Sequence, residues 1–583
     1  MTANYPIYTT QTQCHDCYKC VRHCPVKSIK VENGHAQVIT ENCVACGTCV
    51  LVCPAHAKAV RRDVEDVKKL LTASATPSYL SLAPAWISSF TNLHPSQVTR
   101  AIRQLGFAGV SETALGAQEV SSNVAAMLTD KPGLYLSSAC PAAVGYIRRY
   151  LPEYAENITP VLSPVQSHAK ILRSLYGTNI NVVFAGPCIA KKIEADRSPH
   201  ILAYSLTFDE LRELFEMYRI DPAEMPVTEN DTGFTPRDAG DGSLYPIEGG
   251  MMKTLLNRHN ARYEAVCVSG IEDIEVTLRA FDPKDMKKAV FIECLACKGG
   301  CINGPVAATQ KAVLSRRLNI TNYVADPDFV QETQNVDISA KYTAAPIQRI
   351  IPTEAELHDA LHNIGKTKVE DELNCGGCGY NSCREFAAAM LAGFCEPRMC
   401  VSNMRRLAQK KANVLLTTMP SGVVLVDNNL EIVDSNRRFA AIFGEDNLLA
   451  FDVSPGLRGC RFDKIAPFGD IIREVLETGK EKHYRHMRYG DVLLDIAAFI
   501  IEPNLLVGAI VNDVTVQETL HSQIAQRAND VIKKNISTVQ EIACTLGEHM
   551  AETEILLRAI AEGYGQSCDL FNSSDFNELN KES

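Results

Sequence analysis

The stretch FIECLACKGGCINGP, Phe291 to Pro305, places Cys297 and Cys301 four residues apart behind an apolar run. Two other short, apolar, β-prone segments end in the same way, GLYLSSA before Cys140 and NVVFAGP before Cys188. Three strands are therefore expected to run out into thiols. In an open parallel sheet the carboxyl ends of neighbouring strands face one crevice, so four cysteines distant in sequence can build one buried site. Gly299, Gly300 and Gly304 let the backbone approach whatever sits there.

These residues resemble the FeFe hydrogenases, whose active-site domain carries three short motifs. SSACP at Ser137–Pro141 resembles the first, GPCIAKKIE at Gly186–Glu194 the second, and FIECLACKGGCINGP the third, in the family's order and spacing. APAW at Ala83–Trp86 is a weaker fourth match. The resemblance implies that Cys140, Cys188, Cys297 and Cys301 hold a 4Fe-4S cubane. Cys301 would bridge it to a two-iron subcluster with carbon monoxide, cyanide and bridging dithiolate ligands. Lys191 would donate a hydrogen bond to a cyanide, and Gly186, Pro187 and Leu295 would stand beside the cofactor.

The sequence departs from the productive enzymes where a proton must move. Hydrogen chemistry needs a protonatable group within hydrogen-bond reach of the metal site. The family places a cysteine directly before the first ligand, whereas Ala139 stands here. Gly186 and Leu295 occupy positions that are methionine in the family, and the expected helix at Gly116–Leu128 has no acid after Glu119. Glu293, Cys294, Lys298 and Glu248 are the substitute proton carriers suggested by proximity to the motifs.

Composition narrows the remaining choices. At 583 residues the chain is expected to form several domains. A net charge of -11, with no long basic run, argues against nucleic acid as a partner. The start MTANYPIYTT lacks a basic and then apolar leader, and no stretch reaches the roughly 20 apolar residues of a membrane span. A cytoplasmic location with no membrane partner is expected. The 22 cysteines then point to metal or redox chemistry rather than disulfides.

Near the start, CHDCYKCVRHCP at Cys14–Pro25 and CVACGTCVLVCP at Cys43–Pro54 repeat one spacing of two, two and three intervening residues. Three thiolates at three-residue steps wrap one corner of a cubane, while the fourth, held before a proline, crosses to the other cluster. By this pattern Cys14, Cys17, Cys20 and Cys53 bind one 4Fe-4S cluster and Cys43, Cys46, Cys49 and Cys24 the second, as in the bacterial two-cluster ferredoxins they resemble. Structural zinc is the competing chemistry. After a charged helical linker, RRDVEDVKKLLTA, short strands alternate with amphipathic helices, with the polar stretch Glu229–Gly242 expected as a surface loop.

Further on, Cys375, Cys378, Cys383 and Cys400 are separated by two, four and sixteen residues. They resemble the small four-cysteine iron-sulfur domain of electron-transfer and corrinoid proteins and would hold another 4Fe-4S cluster. Cys395 rivals Cys400 as fourth ligand, and zinc is again the competing metal. MPSGVVLVDNNLEIVDSNRRFAAIFG then reads as strand, turn, strand and a helix capped by Asn436. With the strands of YGDVLLDIAAFIIEPNLLVGAIVNDVT it resembles a Per-Arnt-Sim (PAS) domain. Ile532, Ile536, Val539, Ala543, Leu546, Met550, Thr553, Leu557 and Ile560 recur at steps of four and three, the seam of a coiled coil. Cys267, Cys460, Cys544 and Cys568 are expected to be small hydrophobes or free thiols without a mechanism.

The expected fold class is multidomain α/β. A two-cluster ferredoxin-like domain covers 1–60, an α/β hydrogenase H-cluster domain 74–366 and a four-cysteine iron-sulfur domain 367–403. An α+β PAS domain covers 404–515, a signalling and dimerisation helix 516–562 and a disordered tail 563–583. The combination resembles the sensory subgroup of the iron hydrogenases, of ferredoxin hydrogenase type with low turnover. Its implied partners are H2, a redox protein such as ferredoxin, a separate kinase- or phosphatase-type output protein and a second copy of the chain. An ordinary ferredoxin-linked hydrogenase with a substitute relay, and a non-catalytic iron-sulfur relay, are the alternatives.

Overall fold

A computed structural model describes residues 5–128, 132–229, 231–257, 263–282, 284, 286–307, 312–324, 333–348 and 351–563. The expected tail beyond 563, with Cys568, lies outside the described residues. The chain divides into two compact units, Met1–Arg405 and Arg406–Ser583.

In the first unit, short helices Lys19–His23 and Thr48–Val52 each carry one cysteine of a repeat, Cys20 and Cys49. Two antiparallel pairs, Ile7–Thr9 with Lys58–Val60 and Ile29–Glu32 with His35–Val38, hold the cysteine loops together. The helix α1, Val64–Ala73, is not a free linker. Val64 and Val67 are buried, and Asp63 at its start is an ion-pair partner of Lys192.

Among the described residues, seven parallel strands follow, in two sheets. β1 (Ser78–Leu82), β2 (Gly109–Glu112), β4 (Asn181–Gly186) and β5 (Tyr204–Thr207) form one in the order β2-β1-β4-β5. β3 (Gly133–Leu136), β6 (Glu264–Ser269) and β7 (Ala289–Leu295) form the other in the order β6-β7-β3. β4 and β7 are apolar and buried over most of their length, as parallel strands covered by helices must be. The single sheet expected from the sequence is thus corrected to two. A pair of helices accounts for the division: α2 (Ala114–Met127) buries Ala117 and Val120 with Phe291 of β7, and α3 (Pro164–Tyr176) buries Val165 and Ala169 with Leu80 and Val182. The helices meet at Gly116, where a Cβ would lie 2.1 Å from the Pro164 carbonyl oxygen.

One other expectation is corrected in this unit. The stretch 229–242, expected as a surface loop, is partly packed: Phe234 and Asp241 are buried, and the Ala239 amide donates to Glu112 Oε2 at 2.8 Å. Lys192 is fully buried on α4 (Ala190–Arg197). It donates to Asp63 Oδ2 at 2.9 Å, the Ser205 carbonyl at 2.9 Å and both Glu210 oxygens at 3.0 and 2.9 Å. A buried ammonium requires such pairing.

Residues 375–400 pack into the same core as the N-terminal repeat, with Phe386, Met399 and Cys400 beside Val21, Cys24 and Ile29. Lys27 Nζ donates to the Gly379 carbonyl at 2.7 Å and Arg22 to that of Gly377 at 3.3 Å. Cys400 then leads into helix α5, Val401–Thr418.

The second unit holds an antiparallel sheet of β8 (Gly422–Asp427), β9 (Ile432–Ser435), β10 (Lys482–Tyr489), β11 (Val492–Glu502) and β12 (Leu506–Asp513), in the order β9-β8-β12-β11-β10. Asn436 caps the helix Arg437–Ile442 as expected, its Oδ1 accepting the Phe439 amide at 2.9 Å. Phe439, Phe443, Phe462 and Phe468 fill the core. The chain continues as α6, Thr515–Gly563, on which Ile532, Ile536, Val539, Leu546, Met550 and Leu557 are all exposed, as is Cys544.

Candidate functional site

Five of the seven parallel strands deliver residues from just past their carboxyl ends to one cavity of about 100 Å³. Ala83–Ala85 follow β1, Thr113 follows β2, Ala139–Pro141 follow β3, Pro187 and Cys188 follow β4, and Cys301 follows β7. The side chains of Lys191, Tyr245, Met251, Glu293 and Leu295 complete much of the wall. A second cavity of about 20 Å³ is lined by Cys140, Cys188, Cys297 and Cys301, together with Cys46 from the N-terminal repeat. Four thiols from three distant motifs therefore converge, and a fifth from the neighbouring repeat stands beside them.

The donor set suits a cubane with an attached metal unit. Thiols are soft ligands of iron-sulfur clusters, the two cavities share Cys140, Cys188 and Cys301, and the larger has a mostly apolar wall. Burial pushes the Cys188 thiol up to about 11, and those of Cys297 and Cys301 well up also. Such buried thiols stay neutral until a metal takes their protons.

In the N-terminal repeats, burial raises Cys49, as do the neighbouring Cys46, Cys43 and Cys24, and Cys20 is raised by burial and by Cys14 and Cys17. The Ala57 amide donates to Cys53 Sγ at 3.3 Å. In the third cysteine group Cys378 feels Cys400 and Cys375, and the Cys383 amide donates to Asn374 at 2.8 Å. Cys395 is buried, its thiol 3.5 Å from the Phe386 carbonyl. Cys17 and Cys375 are exposed.

Lys191 reaches the larger cavity while donating to Ser163 Oγ at 3.1 Å and Glu194 Oε2 at 2.5 Å. Ala139 presents only its methyl group to the wall. Glu293 is 1% exposed, and its carboxylate accepts the Met252 amide at 2.9 Å and the Met251 amide at 3.4 Å. Burial dominates and pushes the Glu293 carboxyl up to about 7, with the nearby Glu248 charge adding to the rise.

Three expected site residues are placed elsewhere. Cys294, adjacent to Glu293 on β7, is 0% exposed and belongs to the apolar core, because successive strand side chains face opposite sides. Lys298 is exposed and paired with Asp273 at 3.0 Å. Gly186 is not on the cavity wall: a Cβ there would lie 2.4 Å from the ring of Phe184, which takes the place instead.

Sequence reasoning missed two groups. Cys267, set aside as a thiol without a mechanism, lies opposite Glu293 in the β6–β7 register, and burial and then the Glu293 charge raise its thiol. Glu248 also acts on this thiol, and Ser269 donates to Glu248 Oε1 at 2.9 Å. Thr113 on the cavity wall is held by Ser81, whose hydroxyl bonds Thr113 Oγ1 at 2.7 Å and His168 Nδ1 at 2.7 Å; Ser111 meets His168 Nε2 at 2.8 Å. Burial pushes His168 down to about 3, so it stays neutral. Parallel register and helix-over-sheet packing bring both groups together, and neither leaves a local motif.

Comparison with known proteins agrees with this construction. The family described as iron only hydrogenase large subunit, C-terminal domain, matches residues 76–305. A 4Fe-4S dicluster domain matches residues 6–54 and a putative Fe-S cluster domain residues 371–402. Residues 76–305 are thus FeFe-hydrogenase-like. Among curated relatives, the chain is 25% identical to iron hydrogenase 1 of Clostridium pasteurianum, over 43% of its own length and 53% of that protein's. It is 22% identical to the cytosolic Fe-S cluster assembly factor NAR1 of Meyerozyma guilliermondii, over 50% of its own length and 78% of the relative's. The NADP-reducing hydrogenase subunit HndD of Solidesulfovibrio fructosivorans is 23% identical, over 45% of this chain and 55% of that one. The chain thus spans about half the length of the two hydrogenase relatives. No helix among the described residues is long and apolar enough to cross a membrane.

Proposed function

We propose that this hydrogenase-like protein binds H2 and converts it slowly and reversibly to protons and electrons, passing a redox signal onward. The observation that carries the reading is the paired cavities: four converging thiols beside a larger, mostly apolar space reached by Lys191 and Glu293. Cys140, Cys188, Cys297 and Cys301 would hold the cubane, and Cys301, on the wall of both cavities, would also stand beside a two-iron unit. Bound there, the two-iron unit would supply the metal at which hydrogen is polarised and cleaved. Lys191 offers its ammonium to the anionic ligands of that unit, and Pro187 and Leu295 keep water away from it.

The proton needs a route that avoids Ala139. Glu293 is the acid on the cavity wall, and a carboxyl near 7 exchanges a proton readily around neutral pH. It takes the proton released in the cavity and passes it to the side bearing Cys267 and Glu248, which is less buried. Cys294 and Lys298 have no part in this route. Cys46, on the wall of the cubane cavity, would with Cys43, Cys49 and Cys24 hold the cluster nearest to it. Cys14, Cys17, Cys20 and Cys53, and Cys375, Cys378, Cys383 and Cys400, would hold further 4Fe-4S clusters, which would supply one-electron carriers. The exposed Cys17 and Cys375 mark where a redox protein such as ferredoxin would exchange electrons.

The second unit fits a PAS domain by its five-stranded antiparallel order, and α6 fits a parallel dimer helix by its exposed seam. These would carry the signal to a separate output protein. A second reading, a non-catalytic assembly or relay protein, is favoured by Ala139 and by the NAR1 relative.

Infrared spectra of protein matured with the two-iron unit, under nitrogen and then hydrogen, test the choice. Cyanide and carbonyl bands that shift with hydrogen, with slow turnover, support the sensor. Absence of bands after a maturation that succeeds on a control hydrogenase overturns it in favour of the non-catalytic reading.

A further inference from the structure

The third cysteine group ends where a long helix begins. Cys400 directly precedes α5, and its carbonyl accepts the Met404 amide at 2.8 Å, so this cysteine is the helix's first hydrogen-bonding residue. The first turn faces back onto the cysteine loop at three points. Ser402 Oγ lies 3.2 Å from Cys400 Sγ, Asn403 is buried and donates to the Pro397 carbonyl at 3.1 Å, and Val401 packs so closely on Gly377 that a Cβ there would lie 2.9 Å from it. The helix runs 18 residues, from the first compact unit into the second.

We propose that α5 is a redox-responsive helix whose stability is set by the charge held at Cys375, Cys378, Cys383 and Cys400, with Ser402 as the residue that couples the two. This rests on the reading of those cysteines as cluster ligands and names how the signal leaves the first unit. Cleavage of H2 yields two protons and two electrons; one electron arriving at this cluster adds one negative charge beside the N-terminus of α5. The N-terminal end of a helix carries unsatisfied amides and a partial positive charge, so added negative charge there stabilises the helix. The Ser402 hydroxyl, donating to the Cys400 sulfur, is strengthened by the same charge, and such hydrogen bonds tune cluster potential. By linkage, a more stable first turn in turn favours the reduced cluster.

The experiment is hydrogen-deuterium exchange of residues 401–418 in the full, cluster-reconstituted chain, oxidised and then reduced with dithionite. Electron paramagnetic resonance records whether this cluster has taken up its electron. Exchange about two- to fivefold slower in the reduced protein is expected. Ser402→Ala should diminish that difference and lower the midpoint potential of this cluster, whereas Ser402→Thr, which keeps the hydroxyl, should retain both. Equal exchange in the two states with the cluster demonstrably reduced overturns the coupling, as does finding zinc in place of iron at these cysteines. Dithionite replaces hydrogen here, so this outcome is independent of the infrared response that tests the hydrogen site.

Discussion

Glu293 on β7 and Cys267 on β6 stand opposite one another in parallel register, and the Glu293 charge adds to the rise that burial gives the Cys267 thiol. The carboxyl lines the cavity while the thiol is only partly buried, so the pair spans from the site towards the surface. If this pair carries the proton, Glu293→Gln should lower hydrogen turnover on the order of 100-fold, the usual weight of a general acid-base group. The infrared bands of the two-iron unit should remain. Cys267→Ser, which keeps a hydrogen-bonding group, should retain more activity than Cys267→Ala. Turnover unchanged in Glu293→Gln would send the proton elsewhere.

Glu112 provides a pH-dependent stability test away from the cysteines. Its carboxyl is fully buried, accepts the Ala239 amide at 2.8 Å and the Tyr323 hydroxyl at 3.2 Å, and is pushed by burial up to about 7. A carboxyl raised above its unfolded value favours folding in its neutral form. Its contribution is full below about 4.5 and is lost as pH rises through about 7. The loss for the first unit should be on the order of 3 kcal/mol across that window. Thermal unfolding of wild type and Glu112→Gln from pH 5 to pH 8 checks this, since the variant should show a flatter decline.

Much of the site was legible because iron-sulfur chemistry writes itself into short spacings. The repeats at Cys14–Cys24 and Cys43–Cys53 report their own grouping, since each loop must wrap a cluster corner. Cys140, Cys188, Cys297 and Cys301 were legible as strand-end thiols, but their division between two sheets was not, because an apolar strand reads alike in either sheet. Cys267 escaped notice because its role depends on facing Glu293 across a register that no local pattern encodes. The burial of Lys192 was not legible, since the sequence KK does not tell which ammonium points at Asp63 and Glu210.

The Phe184–Gly186 pair makes a packing prediction. A Cβ at Gly186 would meet the Phe184 ring at 2.4 Å and the Ala83 methyl at 2.8 Å. Gly186→Met alone should overpack the core and cost about 1–3 kcal/mol. Adding Phe184→Ala should recover part of that stability by vacating the ring's space. Denaturation midpoints of the single and double variants measure it, and strict additivity of the two losses would refute the exchange.

Lys192 should be more costly to remove. Lys192→Met leaves Asp63 and Glu210 buried with a lost cation, which destabilises by about 3–5 kcal/mol. Arg61 still pairs with Asp63 at 2.8 Å and so limits the damage on that side. A companion Glu210→Gln in the Lys192→Met background should restore stability, because it removes the stranded charge. Urea unfolding of these two variants and of Glu210→Gln alone reads the coupling directly.

The exposed seam of α6 makes the last prediction. Ile532, Ile536, Val539, Leu546, Met550 and Leu557 are each more than half exposed on a helix of 49 residues, at steps of four and three where the seam is continuous. A lone helix gains nothing from such a stripe, whereas two parallel copies bury it by knobs-into-holes packing. The full chain should therefore run as a dimer in light scattering. Leu546→Asp, which puts a charge into the seam centre, should shift it towards monomer without altering the cofactor spectra of the first unit. In a Cys544→Ser background, Leu546→Cys should form a disulfide between copies on mild oxidation, because facing seam positions of a parallel pair bring like residues together. A monomer at every accessible concentration, with no crosslink, would mean that the seam is covered by something other than a second copy.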